Sequence, residues 1–198
     1  MSTQRKARLT PEEYLAIERR AETKSEYLNG GVYAMVGASR KHNLITGNIF
    51  RQIGNQLRGK DCEAYINDMR VRVSETGLYT YPDVIVVCGE PQFVDAQVDT
   101  LLNPTLIVEV LSPSTESYDR GKKFAHYRTV GSLAEYALVA QDEPRVDLYT
   151  KQQDGRWVLS DAQGMLGKLE LLSIGCTLDL TETYDKVEFD ETNGTQQI

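Results

Sequence analysis

Nowhere in the 198 residues is there a run of about 18 apolar side chains, the length needed to cross a bilayer. The opening Met1-Ser2-Thr3-Gln4-Arg5-Lys6 leads into polar sequence rather than an apolar signal core, so we expect a cytoplasmic protein with no membrane partner. Cysteine is scarce. Cys62, Cys88 and Cys176 are odd in number and far apart, which argues against a disulfide framework and against a Cys-x-x-Cys zinc site. They read as small core residues in a reducing compartment. Trp157 is the single tryptophan, so the aromatic platforms usual in sugar sites are missing. An excess of base is missing too: the net charge is −7, whereas phosphate binding draws its affinity from Lys and Arg. That deficit is local, because residues 141–198 hold 12 acids against 5 bases while residues 1–140 hold 17 of each. Within the neutral part, Arg40 to Arg72 sets seven bases against three acids, either a phosphate track or a solvated helix face.

A chain of this length fits one domain, which we place at residues 1–190, with 191–198 as a flexible tail lacking apolar periodicity. Thr10, Pro11 and Glu13 form a capping box that opens a helix to about Thr23, its stripe Tyr14, Ile17 and Ala21 facing the body. Glu26-Tyr27-Leu28 and Val32 to Val36, joined by Asn29-Gly30-Gly31, read as a hairpin. Ile45, Ile49, Ile53 and Leu57 recur every four residues and mark a second helix over about 41–58. Strands follow around 62–66, 69–73, 80–88 and 105–111, giving a sheet of five or six strands, then a helix over about 118–129. Short strands at 135–139, 145–149 and 156–159 make a C-terminal β-hairpin region. The fold class is α/β (α+β), a mixed central β-sheet flanked by helices.

Two acids stand where acids are costly. Asp83 adjoins Val84-Ile85-Val86-Val87, and Glu109 interrupts Leu106-Ile107-Val108-Glu109-Val110-Leu111. A buried unpaired carboxylate costs several kcal/mol or takes up a proton, so a cation is expected to compensate the two, a divalent metal being the obvious candidate. The helix after Glu109 leaves the strand through Ser112-Pro113 and folds back over the sheet. Arg120, Lys123, Tyr127 and Val130 share its stripe, which brings Lys123 toward the acids, while Lys122 turns away. Two carboxylates and an ammonium suit phosphodiester hydrolysis, with Mg²⁺ on hard oxygen ligands and the lysine orienting water or stabilising charge. Spacing alone leaves a structural ion network equally open, and a glycosidase pair of acids would not explain the lysine.

Pro82-Asp83, the run Glu109 to Ser114, Asp119-x-x-x-Lys123-x-x-x-Tyr127 and Glu135-Tyr136 together resemble the Uma family of restriction-endonuclease-like proteins, a branch of the PD-(D/E)xK nuclease superfamily. The segment Glu26 to Gly30 and His42 look like its N-terminal signatures, and the likeness runs from about residue 9 to residue 150. It implies a restriction-endonuclease-like core, a Mg²⁺-dependent DNA endonuclease (Mn²⁺ substituting) with no organic cofactor, and a homodimer as partner arrangement. It implies Asp83, Glu109 and Val110 as metal-binding positions. The superfamily lysine stands two residues after the second acid, a position held here by Leu111, and Lys123 takes over its role. Ala137 departs from the Trp of many relatives. Glu26 is either an extra acid near the metal or a partner of Lys24 or Arg40. His42 contacts phosphate, shuttles a proton or satisfies a helix-start hydrogen bond. Asp68 and Arg70 read as structural ion-pair residues, Asp119 as a helix N-cap, and Tyr127 as a core ring whose hydroxyl reaches the site. The alternative is an inactive nuclease-fold module that binds nucleic acid or protein.

Overall fold

The computed structural model describes residues 8–189, so the expected tail at 191–198 falls outside the described residues. The capping box forms as its residues dictate, with the Thr10 N–H donating to Glu13 at 2.8 Å, and it opens α1 (Pro11–Glu18). This helix is shorter than its periodicity suggests. It buries Tyr14, Leu15 and Glu18, whereas Ile17 is 56 % exposed, because the chain leaves the helix before Ala21 could extend a stripe. The hairpin pairs β1 (Ser25–Leu28) with β2 (Gly31–Ala34), and the turn needs the left-handed backbone that Asn29 and Gly30 supply. In α2 (Arg40–Gln56) the isoleucines of the four-residue repeat are fully buried, and Ser39 caps it by accepting from the His42 N–H.

Two stacked sheets replace the single one that the strand count suggested. Pro82 cannot join a ladder, so the expected long strand divides into β5 (Leu78–Thr80) and β6 (Val84–Cys88), which belong to different sheets. With β3 (Cys62–Ile66), β4 (Arg70–Val73), β7 (Thr100–Leu101) and β8 (Leu106–Val110), they give a five-stranded sheet ordered β2-β1-β5-β4-β7 and half of a second. The C-terminal strands β9 (Glu135–Val139), β10 (Arg145–Lys151) and β11 (Trp157–Gln163) complete the six-stranded sheet, β11-β10-β9-β8-β6-β3. Its one parallel pair is β8 with β9, joined by the helical crossover after β8. A further hairpin, β12 (Lys168–Leu171) and β13 (Cys176–Asp179), runs into the short α5 (Leu180–Thr183).

The layers follow from strand alternation. Val84, Val86, Val108 and Val110 face α2 and the β12–β13 hairpin, whereas Ile107 and Leu111 face the other way, against Val73 and Leu78 of the smaller sheet. Tyr27 and Tyr79 line that sheet's far side, where Tyr27 stacks on Tyr14 of α1 and Tyr79 meets it edge-on. The cysteine expectation needs correction. Cys62 and Cys88 lie directly opposite each other on β3 and β6 and form a disulfide, leaving only Cys176 as a buried free thiol. Their 26-residue separation carries no sign of that, because it is the pairing of the two strands that sets them face to face.

Replacing Ile49 by Ala, at the centre of the α2 stripe, is expected to cost about 2–5 kcal/mol. Urea denaturation should show the loss as a lower midpoint with an unchanged slope.

Candidate active site

The site forms where the two sheets and the crossover helix meet. Continuing the β6–β8 register sets Asp83 opposite Glu109, on the face shared by Ile85 and Ile107. Asp83 is anchored through one oxygen. Its Oδ2 accepts from the Val110 N–H at 2.8 Å and lies 3.2 Å from His42 Nε2, which the first turn of α2 delivers. Glu109 is 4 % exposed and is likewise held through one oxygen, its Oε1 accepting from the Tyr127 hydroxyl at 2.8 Å and lying 2.9 Å from Lys123 Nζ. Among the described residues no hydrogen bond reaches the second oxygen of either acid.

The crossover helix is not a plain α-helix. α3 (Glu116–Tyr118) passes into a π-helical turn, Asp119–Lys123, and then into α4 (Phe124–Tyr127). The wider turn changes which side chains share a face. Lys123, Asp119 and Tyr127 point inward, while Arg120 leaves the stripe on which the α-helical spacing put it and pairs with Asp147 at 2.6 Å and Glu116 at 2.7 Å. Asp119 is therefore not a helix N-cap. It is 3 % exposed with Oδ1 3.5 Å from Lys123 Nζ, and the Tyr136 hydroxyl donates to its carbonyl. Lys122 is exposed, as expected.

Glu26 completes the cluster from the smaller sheet. Its Oε1 lies 3.3 Å from Lys123 Nζ and accepts from the Thr80 hydroxyl, so its partner is neither Lys24 nor Arg40. Lys24 instead pairs with Asp68 at 3.0 Å, and Arg70 with Asp99 at 3.1 Å, so Asp68 and Arg70 serve structural ion pairs. Every proposed catalytic side chain thus reaches this junction: Asp83, Glu109, Lys123 and Glu26 from the two sheets and the helix, and His42 through Asp83. Asp119 is the member the sequence reading missed. Its spacing of four from Lys123 was the available signal, and the assignment as a cap obscured it.

One ammonium faces three carboxylates, with Asp83 close behind, so negative charge is in excess. Burial drives the Glu109 carboxyl upward, Asp119 and Asp83 add to the shift, and Lys123 opposes it without cancelling it; the result is about 8. Burial disfavours the Lys123 ammonium, yet Glu109, Glu26 and Asp119 outweigh it and hold the lysine protonated. Burial likewise raises Asp119, against the pull of Lys123. Among the described residues no three His, Cys, Asp or Glu side chains gather as a metal-holding group. The arrangement offers two carboxylates with one uncommitted oxygen each, beside main chain, which suits a hard cation that keeps several of its waters.

Residues 11–181 match the model of the family Uma2, described as "Putative restriction endonuclease". The uncharacterized protein slr1290 of Synechocystis sp. is 41 % identical over 182 residues, covering 92 % of this chain and 94 % of that protein. A second Synechocystis protein, sll1609, is 39 % identical over 162 residues, covering 82 % and 92 %. Among solved structures, a "putative nuclease belonging to DUF820" from Anabaena variabilis superposes with a TM-score of 0.73 at 20 % identity, over 89 % of this chain and 97 % of that one. That likeness shows a shared fold, mixed sheets flanked by few helices.

A carboxyl raised from 4.5 to about 8 on folding stabilises the folded state below pH 4.5, and that contribution is lost as pH rises through 8. Glu109→Gln stays neutral, so without divalent ions it should melt several degrees above the parent at pH 8.5, at roughly 2–4 °C per kcal/mol for this chain length. The gap should close at pH 5. Melting curves across that range in EDTA check it.

Proposed function

The chain belongs to the Uma2 family, and from that premise we propose that it is a Mg²⁺-dependent DNA endonuclease that hydrolyses phosphodiester bonds at the Asp83–Glu109–Lys123 junction. The observation that carries this reading is the Lys123 ammonium 2.9 Å from Glu109, on the sheet face to which Asp83 also belongs. Asp83 and Glu109 would hold the ion through their uncommitted oxygens, with the main-chain carbonyl of Val110 beside them, since valine has no other ligand to offer. Mg²⁺ at that place supplies Lewis acidity to a phosphoryl oxygen and acidity to a water.

The protein's own groups do the rest. Lys123 is a compact positive charge that orients a water or stabilises charge building on the phosphate. Glu26 and Asp119 hold that ammonium charged, Tyr127 fixes the Glu109 carboxylate, and His42 fixes Asp83 from the opposite side. Glu26 and Glu109 come from strands, His42, Asp119, Lys123 and Tyr127 from helical turns, and Asp83 from the bend that leads into β6. Two-strand cleavage suits a two-fold pair of sites, so we propose a homodimer as the working form.

A second reading is an inactive nuclease fold that binds nucleic acid or another protein. It is favoured by the same crowding of carboxylates on Lys123, which would also serve as a structural ion network.

Nicking of supercoiled plasmid separates the two readings. The nuclease reading predicts cleavage with Mg²⁺, none in EDTA, and a rate lowered about 100- to 1,000-fold in Lys123→Ala. Cleavage indifferent to both changes refutes the proposed site, and no cleavage by the parent protein supports the inactive module.

A further inference from the structure

The smaller sheet carries a cross-strand row that runs outward from the site. Tyr33 on β2 stands directly opposite Glu26 on β1, and continuing the β1–β5 register sets Glu26 opposite Thr80. Side chains paired in this way share one face, with Cβ atoms about 4.5–5.5 Å apart. The row therefore passes from buried Thr80, through the half-buried acid that touches Lys123, to Tyr33 at the free edge of the sheet, where its side chain is 59 % exposed. Gly31 leaves room for the ring. A Cβ on Gly31 would come 2.9 Å from the Tyr33 hydroxyl, although the Gly31 backbone is not left-handed and has no conformational need for glycine. Absence of a side chain there lets the ring lie along its own strand with its outer side uncovered.

We propose, building on the nuclease reading, that Tyr33 is a stacking platform for an unpaired base of the substrate strand next to the phosphate held at Lys123. Three features favour a nucleic-acid strand as occupant. The ring lies on the face that leads to Glu26, not on the far face of the sheet. Residues 30–39 carry no charge, which leaves the strand's exposed surface open to base faces. Stacking accepts every base, which suits a site at which backbone chemistry, rather than base edges, is read. A second copy of the chain adding a strand to the β2 edge is the competing occupant.

The test is binding of a fluorescein-labelled 12-nucleotide single-stranded DNA in EDTA, followed by anisotropy, so that no cleavage is required. Tyr33→Ala should weaken binding about tenfold or more. Tyr33→Phe should restore it to within about twofold of the parent, because the ring and not the hydroxyl stacks. Gly31→Ala, which displaces the ring without removing it, should weaken binding as well. Equal binding by Tyr33→Ala and the parent, or a Tyr33→Phe loss as large as that of Tyr33→Ala, overturns the proposal. So does a drop in sedimentation coefficient in Tyr33→Ala without DNA, which would assign the edge to a second copy. Plasmid cleavage by the parent alongside unchanged oligonucleotide binding by Tyr33→Ala would end the stacking role and leave the nuclease reading standing.

Discussion

A lysine ammonium buried among carboxylates is the interaction on which this structure turns. Lys123 is 5 % exposed and lies within 3.5 Å of oxygens from Glu109, Glu26 and Asp119, which come from the larger sheet, the smaller sheet and the helix's own preceding turn. It therefore ties three elements at one point. Removing the charge would leave three acids facing one another in a poorly solvated layer, a loss of several kcal/mol by the cost of uncompensated buried charge. Even with the lysine present, burial raises the Glu109 carboxyl, and Asp119 and Asp83 add to the shift. The fold thus tolerates a local electrostatic debt at the place where chemistry is proposed, as sites tuned for proton or metal binding commonly do.

The surrounding architecture makes that debt bearable. The apolar layer between the sheets, with Ile107, Leu111, Leu78 and Tyr127 at its centre, fixes the carboxylates without relying on their own contacts. Outside the cluster, the buried acids have their own partners. Asp147, 2 % exposed, is met by Arg120 and Arg145, and Glu135, fully buried, accepts from the backbone N–H groups of Leu172 and Ser173. The Arg120–Asp147 pair also anchors the π-helical turn to β10, so the irregular step that aims Lys123 inward is pinned from outside. The buried acids of the periphery are thus paired one by one, whereas at the junction several acids share a single ammonium.

Much of this was legible from the residues. The α2 stripe follows from isoleucine every fourth position, and Glu109 stands out because it breaks a β-branched run. Lys123 was reached by α-helical spacing, which placed Arg120 on the same stripe; the π-helical turn keeps Lys123 inward and sends Arg120 elsewhere, so the reading was right for the lysine and wrong for the arginine. What could not be read is what depends on assembly. A strand's own letters do not say which sheet it joins, and Pro82 ended a ladder without revealing that its two sides part company. The Cys62–Cys88 bond has the same origin. Asp119 was misassigned because an acid at a helix start and an acid facing a lysine one turn on look alike until burial is known. Tyr33 drew no notice, since its place in line with Glu26 exists only once the hairpin is paired.

The most direct test of the account is diffraction from crystals soaked in Mn²⁺, recorded for anomalous scattering. A cation pocket built from Asp83 and Glu109 predicts one strong peak bonded to an oxygen of each, with Lys123 still beside Glu109. Anomalous density confined to other acids, or none at millimolar Mn²⁺, would mean that the lysine alone balances the cluster, and the metal-dependent nuclease reading would fail.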